Sequence, residues 1–452
     1  GAGADPQRPE PPTAAIDQLI LGDLDHDSVL VWLRAERAGA ASVRVGDTVR
    51  RARFLPERDL ATTLAYEDLR ADTQYEVRVD GRLLRSFRTA PDPDSAAGVR
   101  FGFGGDVAGQ NVCRHRDEGF PVFSALARRD LDFFVGLGDM IYGDDRCGEV
   151  GRYGQPQVPG EFDSGGSVRS YWAHWRYARD DGWLRRALAR FPYVAVWDDH
   201  EVENDFGPAS SRMSNGLRAF RDHNPVPARL YRSLRWGRHL ELIVLDTRRY
   251  RDPSEEPDSD EDPKTMLGQE QRAWLERRLR SDASWKVVVS SVPMAIPTGN
   301  AATGGRDGWA NYGHETGYER ELASILEATR EAGADVVWVT TDVHFATVLR
   351  YRPFGDDFVV HEVVTGPLNA GIYAHGDLDR SFHPERLFFH GPGAVTGSGS
   401  ANADPPGRAT DADNWSEAKR YFNWGEIAVS AEGALTLSVR GTEGRSLYRR
   451  TL

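Results

Sequence analysis

Lysine is almost missing from this chain. Lys264, Lys286 and Lys419 are the three lysines, so arginine supplies the other 53 of 56 basic side chains. That bias reflects genome composition first and chemistry second. An excess of basic charge is missing as well: 69 acidic residues leave a formal charge of −13. This argues against a broad nucleic-acid or anionic-membrane surface, which needs positive charge. Cysteine is scarce. Cys113 and Cys147 are too few for a disulfide framework or a cysteine-based zinc site. They can close one disulfide or stay free. No apolar run approaches the ~18 residues of a membrane helix. What is present is 452 residues, 40% of them apolar. That is enough for a real core, in one large domain or two to three smaller ones.

The pattern changes along the chain. Gly1–Ala15 is small, polar and proline-rich, and reads as a disordered tail. It is like what remains after removal of a signal peptide, which predicts export; the alternative is the disordered terminus of a cytosolic protein. Residues 16–90 carry short alternating segments, Ser28–Leu33, Ser42–Val45, Tyr75–Val79 and Leu83–Phe87, spaced like the strands of a small β-sandwich. Pro91–Gly98 has linker composition. From residue 99 apolar runs alternate with amphipathic stretches. The runs are Val99–Phe103, Phe133–Leu137, Tyr193–Trp197, Leu240–Leu245, Lys286–Ser290, Val336–Thr340 and Phe358–Val364. Helices are predicted at Phe120–Arg129, Trp183–Arg190, Gly268–Arg280 and Gly317–Ala332. Continuous apolar runs between helices mean strands buried on both faces, hence an α/β domain over 99–452. Glu426–Ser430 and Leu435–Val439 read as a hairpin. Residues 376–424 lack periodicity and read as a surface excursion. The acidic stretch at 252–262 reads as a solvated run.

Chemistry collects where the strands end. Asp106 follows the first run, Asp139 and Tyr142 the second, Asp198-Asp199-His200-Glu201 the third, and Asp342 with His344 the run at 336–340. Ligands of α/β sheets bind beyond the carboxyl ends of strands. A single Gly-Asp is usually a turn, and a single Asp-x-His usually a structural histidine. Four strands each delivering a carboxylate to one cleft is different, because the charges repel unless a cation neutralises them. Carboxylate, imidazole and phenolate ligands suit iron, manganese, zinc or calcium.

The series Gly105-Asp106, Gly138-Asp-x-x-Tyr142, Asp198-Asp-His-Glu201 and Asp342-x-His344 resembles the calcineurin-like metallophosphoesterases. More narrowly it is similar to the PhoD-like alkaline phosphatases and the related iron-dependent phospholipase D enzymes of actinobacteria. Val196–Val202, Trp309-Ala-Asn311 and Val364–Gly371 add local matches. The resemblance implies a four-layer sandwich of two mixed sheets flanked by helices, preceded by a fibronectin-like β-domain. It implies that Asp106, Asp139, Tyr142 and His344 hold ferric iron. Asp139 would bridge to a divalent ion held with Asp199 and Asp342. His200 would be catalytic, protonating the leaving group or stabilising charge, with Glu201 and Asn204 orienting it. Asn204, Asn369 and Trp309 are the expected substrate-binding residues. Arg221 and Arg306 are further candidates for gripping phosphate.

Two departures matter. The strand end at Val289–Pro293 offers no histidine, and Asp342 stands where the broader superfamily has a histidine. The divalent site is therefore rich in oxygen, which favours calcium, with zinc or manganese as alternatives. Some members use a cysteine on iron; Cys113, Cys147 or neither could do so here. The implied activity is that of an exported bacterial enzyme acting on one phosphoryl group rather than on a polyanion. The reaction is hydrolysis of small phosphate monoesters by a metal-bound hydroxide. The alternative within the class is a diesterase, including phospholipase D-like action on phospholipid. A different class is a metal-stabilised binding protein whose catalysis has decayed. A monomer is expected.

Overall fold

The computed structural model describes residues 14–300, 302–313, 316–374, 377–392 and 412–452. The N-terminal tail up to residue 13 and the middle of the expected 376–424 excursion lie outside the described residues. Two large sheets form the centre. One has seven strands in the order Arg232–Trp236, Leu240–Val244, Trp285–Val289, Asp335–Thr340, Val360–Val364, Ala346–Tyr351, Pro384–His390. The second to fifth of these are mutually parallel. The other sheet has nine strands, and Val99–Gly104, Phe133–Gly136 and Tyr193–Ala195 form its parallel centre.

Alternation along each strand explains the layering. Val287, Val289, Val337 and Val339 point to the opposing sheet, where they meet Phe101, Phe103, Val135 and Val194 in one core. Val288, Val336 and Trp338 point the other way, onto Leu275, Leu322 and Ile325 of the helices Gly268–Leu279 and Glu319–Glu331. Phe134, Tyr193 and Trp197 likewise face helices that bear Phe123, Trp175, Leu188 and Phe220. A strand buried on both faces needs apolar residues at consecutive positions, which is the pattern seen. The result is four layers, helix, sheet, sheet, helix, as the family resemblance implied.

Residues 16–90 are all β. Thr48–Phe54, Gly39–Val45, Gln74–Val79 and Arg82–Arg88 make a separate four-stranded sheet. Ile16–Gly22, Val29–Ala35 and Ala61–Tyr66 instead extend the nine-stranded sheet, joined to it by the parallel pair Gly22–Tyr193. Both sheets share the central core with Phe101, Leu437 and Val439. Two expectations need correction. Part of the 376–424 region is not an excursion: Pro384–His390 is an edge strand on Ala346–Tyr351. The acidic run at 252–262 is not wholly solvated. Asp258 is fully buried and accepts the amides of Lys264 (2.9 Å) and Arg320 (3.1 Å). Lys264 itself turns inward, its ammonium on the carbonyls of Ser254 and Glu256.

Candidate metal centre

The parallel strands of both sheets release their chains on the same side, and sharp turns then fold the polar residues back over the strand ends. Asp106, Asp139, Asp342 and His344 all have positive φ, from 52° to 80°. Few non-glycine residues adopt this conformation, and such strain gathers at functional sites. The glycines before two of these aspartates allow close approach. A Cβ on Gly105 would lie 2.7 Å from the Gly138 carbonyl, and one on Gly138 would lie 2.7 Å from Asp198 Cβ.

Three expected ligands meet directly. The Tyr142 hydroxyl is 2.9 Å from Asp106 Oδ1 and 3.0 Å from His344 Nε2. The other His344 nitrogen, Nδ1, is 2.6 Å from the Gly371 carbonyl. A proton there leaves Nε2 free to act as a ligand, the usual outer support of a metal-binding histidine. Thr341 donates to Asp106 Oδ2 (2.7 Å). Burial, then the Asp106 and Asp139 charges, push the Tyr142 phenol well above its ordinary range.

The second group is made of carboxylates. Asp139, Asp198, Asp199 and Asp342 each present an oxygen within 4.8 Å of the others, and all four are buried. Asp139 Oδ2, Asp198 Oδ2 and Asp199 Oδ1 have no hydrogen-bond partner among the described residues. Buried polar atoms are normally paired, so three unpaired oxygens within this group of carboxylates fit the binding of a cation. Burial and then the neighbouring Asp199 and Asp198 charges hold the Asp139 carboxyl well above its usual range; Asp342 is raised by burial and the same two neighbours. A cation removes both penalties. The donor set, oxygen throughout with one imidazole nearby, suits hard ions.

His200 sits against this group. Its ring stacks on Tyr142 at 4.1 Å between centroids, and Nδ1 is 2.7 Å from Asp144 Oδ1. Its backbone amide donates to Asp139 Oδ1 (3.0 Å). Burial opposes a charged imidazole, but Asp144 and Asp199 outweigh it and raise its pKa well above the usual value. Glu201 is a brace beneath the turn. Its carboxylate accepts the amides of Asp198 (2.8 Å), Met140 (2.9 Å) and Asp139 (3.2 Å). Arg248 is fully buried, with Nε on Asp198 (2.7 Å) and both terminal nitrogens on Asp307 (2.7 Å each).

The remaining sequence candidates are placed as follows. Asn204 acts through its backbone, whose amide donates to Asp144 Oδ2 (2.8 Å), while the residue is exposed. Asn369 is fully buried and its amide group donates to the Val112 carbonyl (3.1 Å), so it ties its own segment to the one that follows Asp106. Trp309 is a correction. It is fully buried, its indole donates to Ser290 Oγ (3.1 Å), and it packs edge-on to Trp338 within the helix-side core. An aromatic enclosed in this way is packing, not pocket lining. Arg221 and Arg306 each donate to a backbone carbonyl, of Ala228 and Glu255. Cys113 and Cys147 are disulfide-bonded, so neither is a free thiolate ligand. Sequence reasoning gave Asp198 no role of its own. It missed Asp144, Asp205, Arg248 and Thr298, whose hydroxyl donates to Asp342 (2.7 Å). Asp144 was within reach, two residues after Tyr142 in the same motif. Asp205 ends the Asp198–Asp205 segment and Arg248 stands four residues past the Leu240–Val244 strand, so both were within reach as well; Thr298 has no local signal.

Two mixed sheets packed face to face, with carboxylates, a phenol and imidazoles on turns at the strand ends, define a metallophosphoesterase-type fold. A family model described as PhoD-like phosphatase matches residues 101–389, and the chain belongs to that family. Alkaline phosphatase D of Bacillus subtilis (strain 168) is 28% identical over an aligned length of 334 residues, with 62% of this chain and 54% of that protein covered. The match thus spans about half the length of that relative. Among solved structures, PhoD is similar over 99% of this chain and 90% of its own, with a TM-score of 0.71 and 20% identity. A purple acid phosphatase from yellow lupin (Lupinus luteus) seeds covers 97% and 74%, with a TM-score of 0.62 and 12% identity. At such identities the likeness speaks for the fold.

Proposed function

We propose that the protein hydrolyses phosphate monoesters at a two-cation centre. The observation that carries this reading is the buried group Asp139, Asp198, Asp199 and Asp342, with three oxygens left unpaired. Asp106, Tyr142, His344 and Asp139 would hold ferric iron, and Asp139, Asp199 and Asp342 a divalent ion, calcium before zinc or manganese. Bound there, the pair supplies charge neutralisation for the phosphoryl group and an acidified water.

The chain's own residues divide the remaining work. Asp144 fixes the His200 ring by its Nδ1 hydrogen bond and leaves Nε2 toward the cleft, 3.9 Å from Asp199 Oδ1. A protonated Nε2 at that place can donate to the departing alkoxide. Glu201 holds the turn that sets Asp139 and Asp198 in register. Arg248 pins Asp198 and so fixes the carboxylate next to Asp199. The family and the relative's name support a phosphatase; the disulfide supports an oxidising compartment and hence export.

The test is turnover of p-nitrophenyl phosphate by the wild type and by His200→Ala, each with its metal content. The reading expects turnover by the wild type, an approximately 10²–10⁴-fold loss in the variant, and equal metal in both. A wild type that binds metal and cleaves no ester would point to a decayed binding protein. Iron is tested separately by colour: Tyr142→Phe should bleach a visible phenolate band.

A further inference from the structure

We propose that Arg152 is a substrate-recognition residue of this site, receiving a non-bridging oxygen of a terminal phosphoryl group and thereby favouring monoesters over diesters. The inference deepens the phosphoesterase reading and rests on it.

Arg152 stands on a well-braced mount. Residues 147–157 form a tight loop, clamped to the segment that follows Asp106. The Cys113–Cys147 disulfide closes its base. Asn111 holds its middle: Oδ1 accepts from the Gly148 amide (2.9 Å) and Gln157 Nε2 (2.7 Å), while Nδ2 donates to the Val150 carbonyl (3.0 Å). The Arg152 amide itself donates to the Asn111 carbonyl (2.9 Å). Next to it, the Tyr153 hydroxyl accepts the Ile372 amide (2.8 Å). The loop is therefore docked on Gly371–Tyr373, the segment whose Gly371 carbonyl holds His344.

From this mount the guanidinium lies over the Tyr373 ring, 5.8 Å from its centroid, and the same ring meets His344 edge-on at 4.7 Å. Arg152 thus stands one aromatic ring away from a predicted iron ligand. Its side chain is exposed and makes no hydrogen bond or ion pair among the described residues. Arg248 and Arg251 differ on both counts: they are buried and are engaged by Asp198 and Asp307. A guanidinium left without a carboxylate among the described residues, on a braced loop one aromatic ring from His344, is a phosphate donor in waiting, since its planar fork matches phosphate oxygens. A monoester dianion has one more anionic oxygen than a diester and gains more from that fork.

The experiment compares wild type, Arg152→Ala and Arg152→Lys with p-nitrophenyl phosphate and bis-p-nitrophenyl phosphate, with inorganic phosphate as competitive inhibitor. For Arg152→Ala we expect KM for the monoester and the phosphate inhibition constant to rise together, on the order of 10-fold, with kcat within about threefold and diester kcat/KM within about twofold. Arg152→Lys should recover part of the loss. Equal losses on both substrates, or no change on either, would overturn the role of Arg152. A wild type inactive on both esters would instead sink the phosphoesterase reading, so the two failures are distinguishable.

Discussion

At the scale of single residues, the centre is a set of groups that cannot all be charged unless something else is present. Asp198 is raised to about 6 by burial against the pull of Arg248, Glu201 to about 8 by burial, and Asp205 to about 8 by burial and by Asp307. The carboxylates expected to bind metal were legible because each follows a strand within a few residues. Their partners were not: Arg248 follows the Leu240–Val244 strand by four residues but an arginine there does not read as a metal ligand, and Thr298 and Asp307 lie in the stretch between Trp285–Val289 and Glu319–Glu331. Asp144 makes the role of these partners testable. Asp144→Asn keeps the size and loses the charge that orients His200. Its kcat should fall about 10- to 100-fold, with both cations retained, as measured by steady-state kinetics beside metal analysis. Full activity would show that His200 needs no orienter.

At the scale of elements, every predicted apolar run from residue 99 is a strand, within one or two residues at most ends. The helices Val168–Arg179 and Met213–His223 went unread, since tryptophan, histidine and arginine crowd the first and Gly216 interrupts the second. Both matter to how the β-region is held. His223 closes the second helix, is almost fully buried, and lies 2.9 Å from Asp59 Oδ2. Burial lowers its pKa to about 4, with the Asp59 hydrogen bond opposing. The folded value lies below the unfolded one, so on acidification the unfolded chain takes up the proton first. Stability from this group is complete above about pH 6.5 and is lost as pH falls toward 4, by up to about 3 kcal/mol. Urea unfolding at about pH 7.5 and about pH 5 should show the loss, and His223→Gln should reduce the difference. The disulfide is a second device at this scale. It closes a separation of 34 residues, which chain entropy puts at about 4 kcal/mol. Cys147→Ser should lower the unfolding midpoint; an unchanged midpoint would mean that Asn111 and Gln157 hold the loop unaided.

At the scale of the whole molecule, the sequence revealed two packed sheets but not how far the second reaches. Three N-terminal strands join the nine-stranded sheet through a single parallel pair, Gly22 and Tyr193. A contact between residues this far apart leaves no mark on local periodicity. The charge of −13 likewise describes the chain without its cations. Filling the centre should draw phosphate into a cleft that the bare chain would repel, and should stabilise the fold by mass action. Stripping the protein with a chelator should therefore lower its thermal midpoint, and adding back iron and calcium should restore it. The central claim of the proposed function is that Asp139 would help hold two cations that the reaction needs. Its most direct test is the metal content per chain of wild type and Asp139→Asn, measured with monoester turnover on the same samples. We predict two cations in the wild type, and in the variant the loss of at least one together with most of the activity. A wild type that turns over the ester while containing no bound metal would contradict the account.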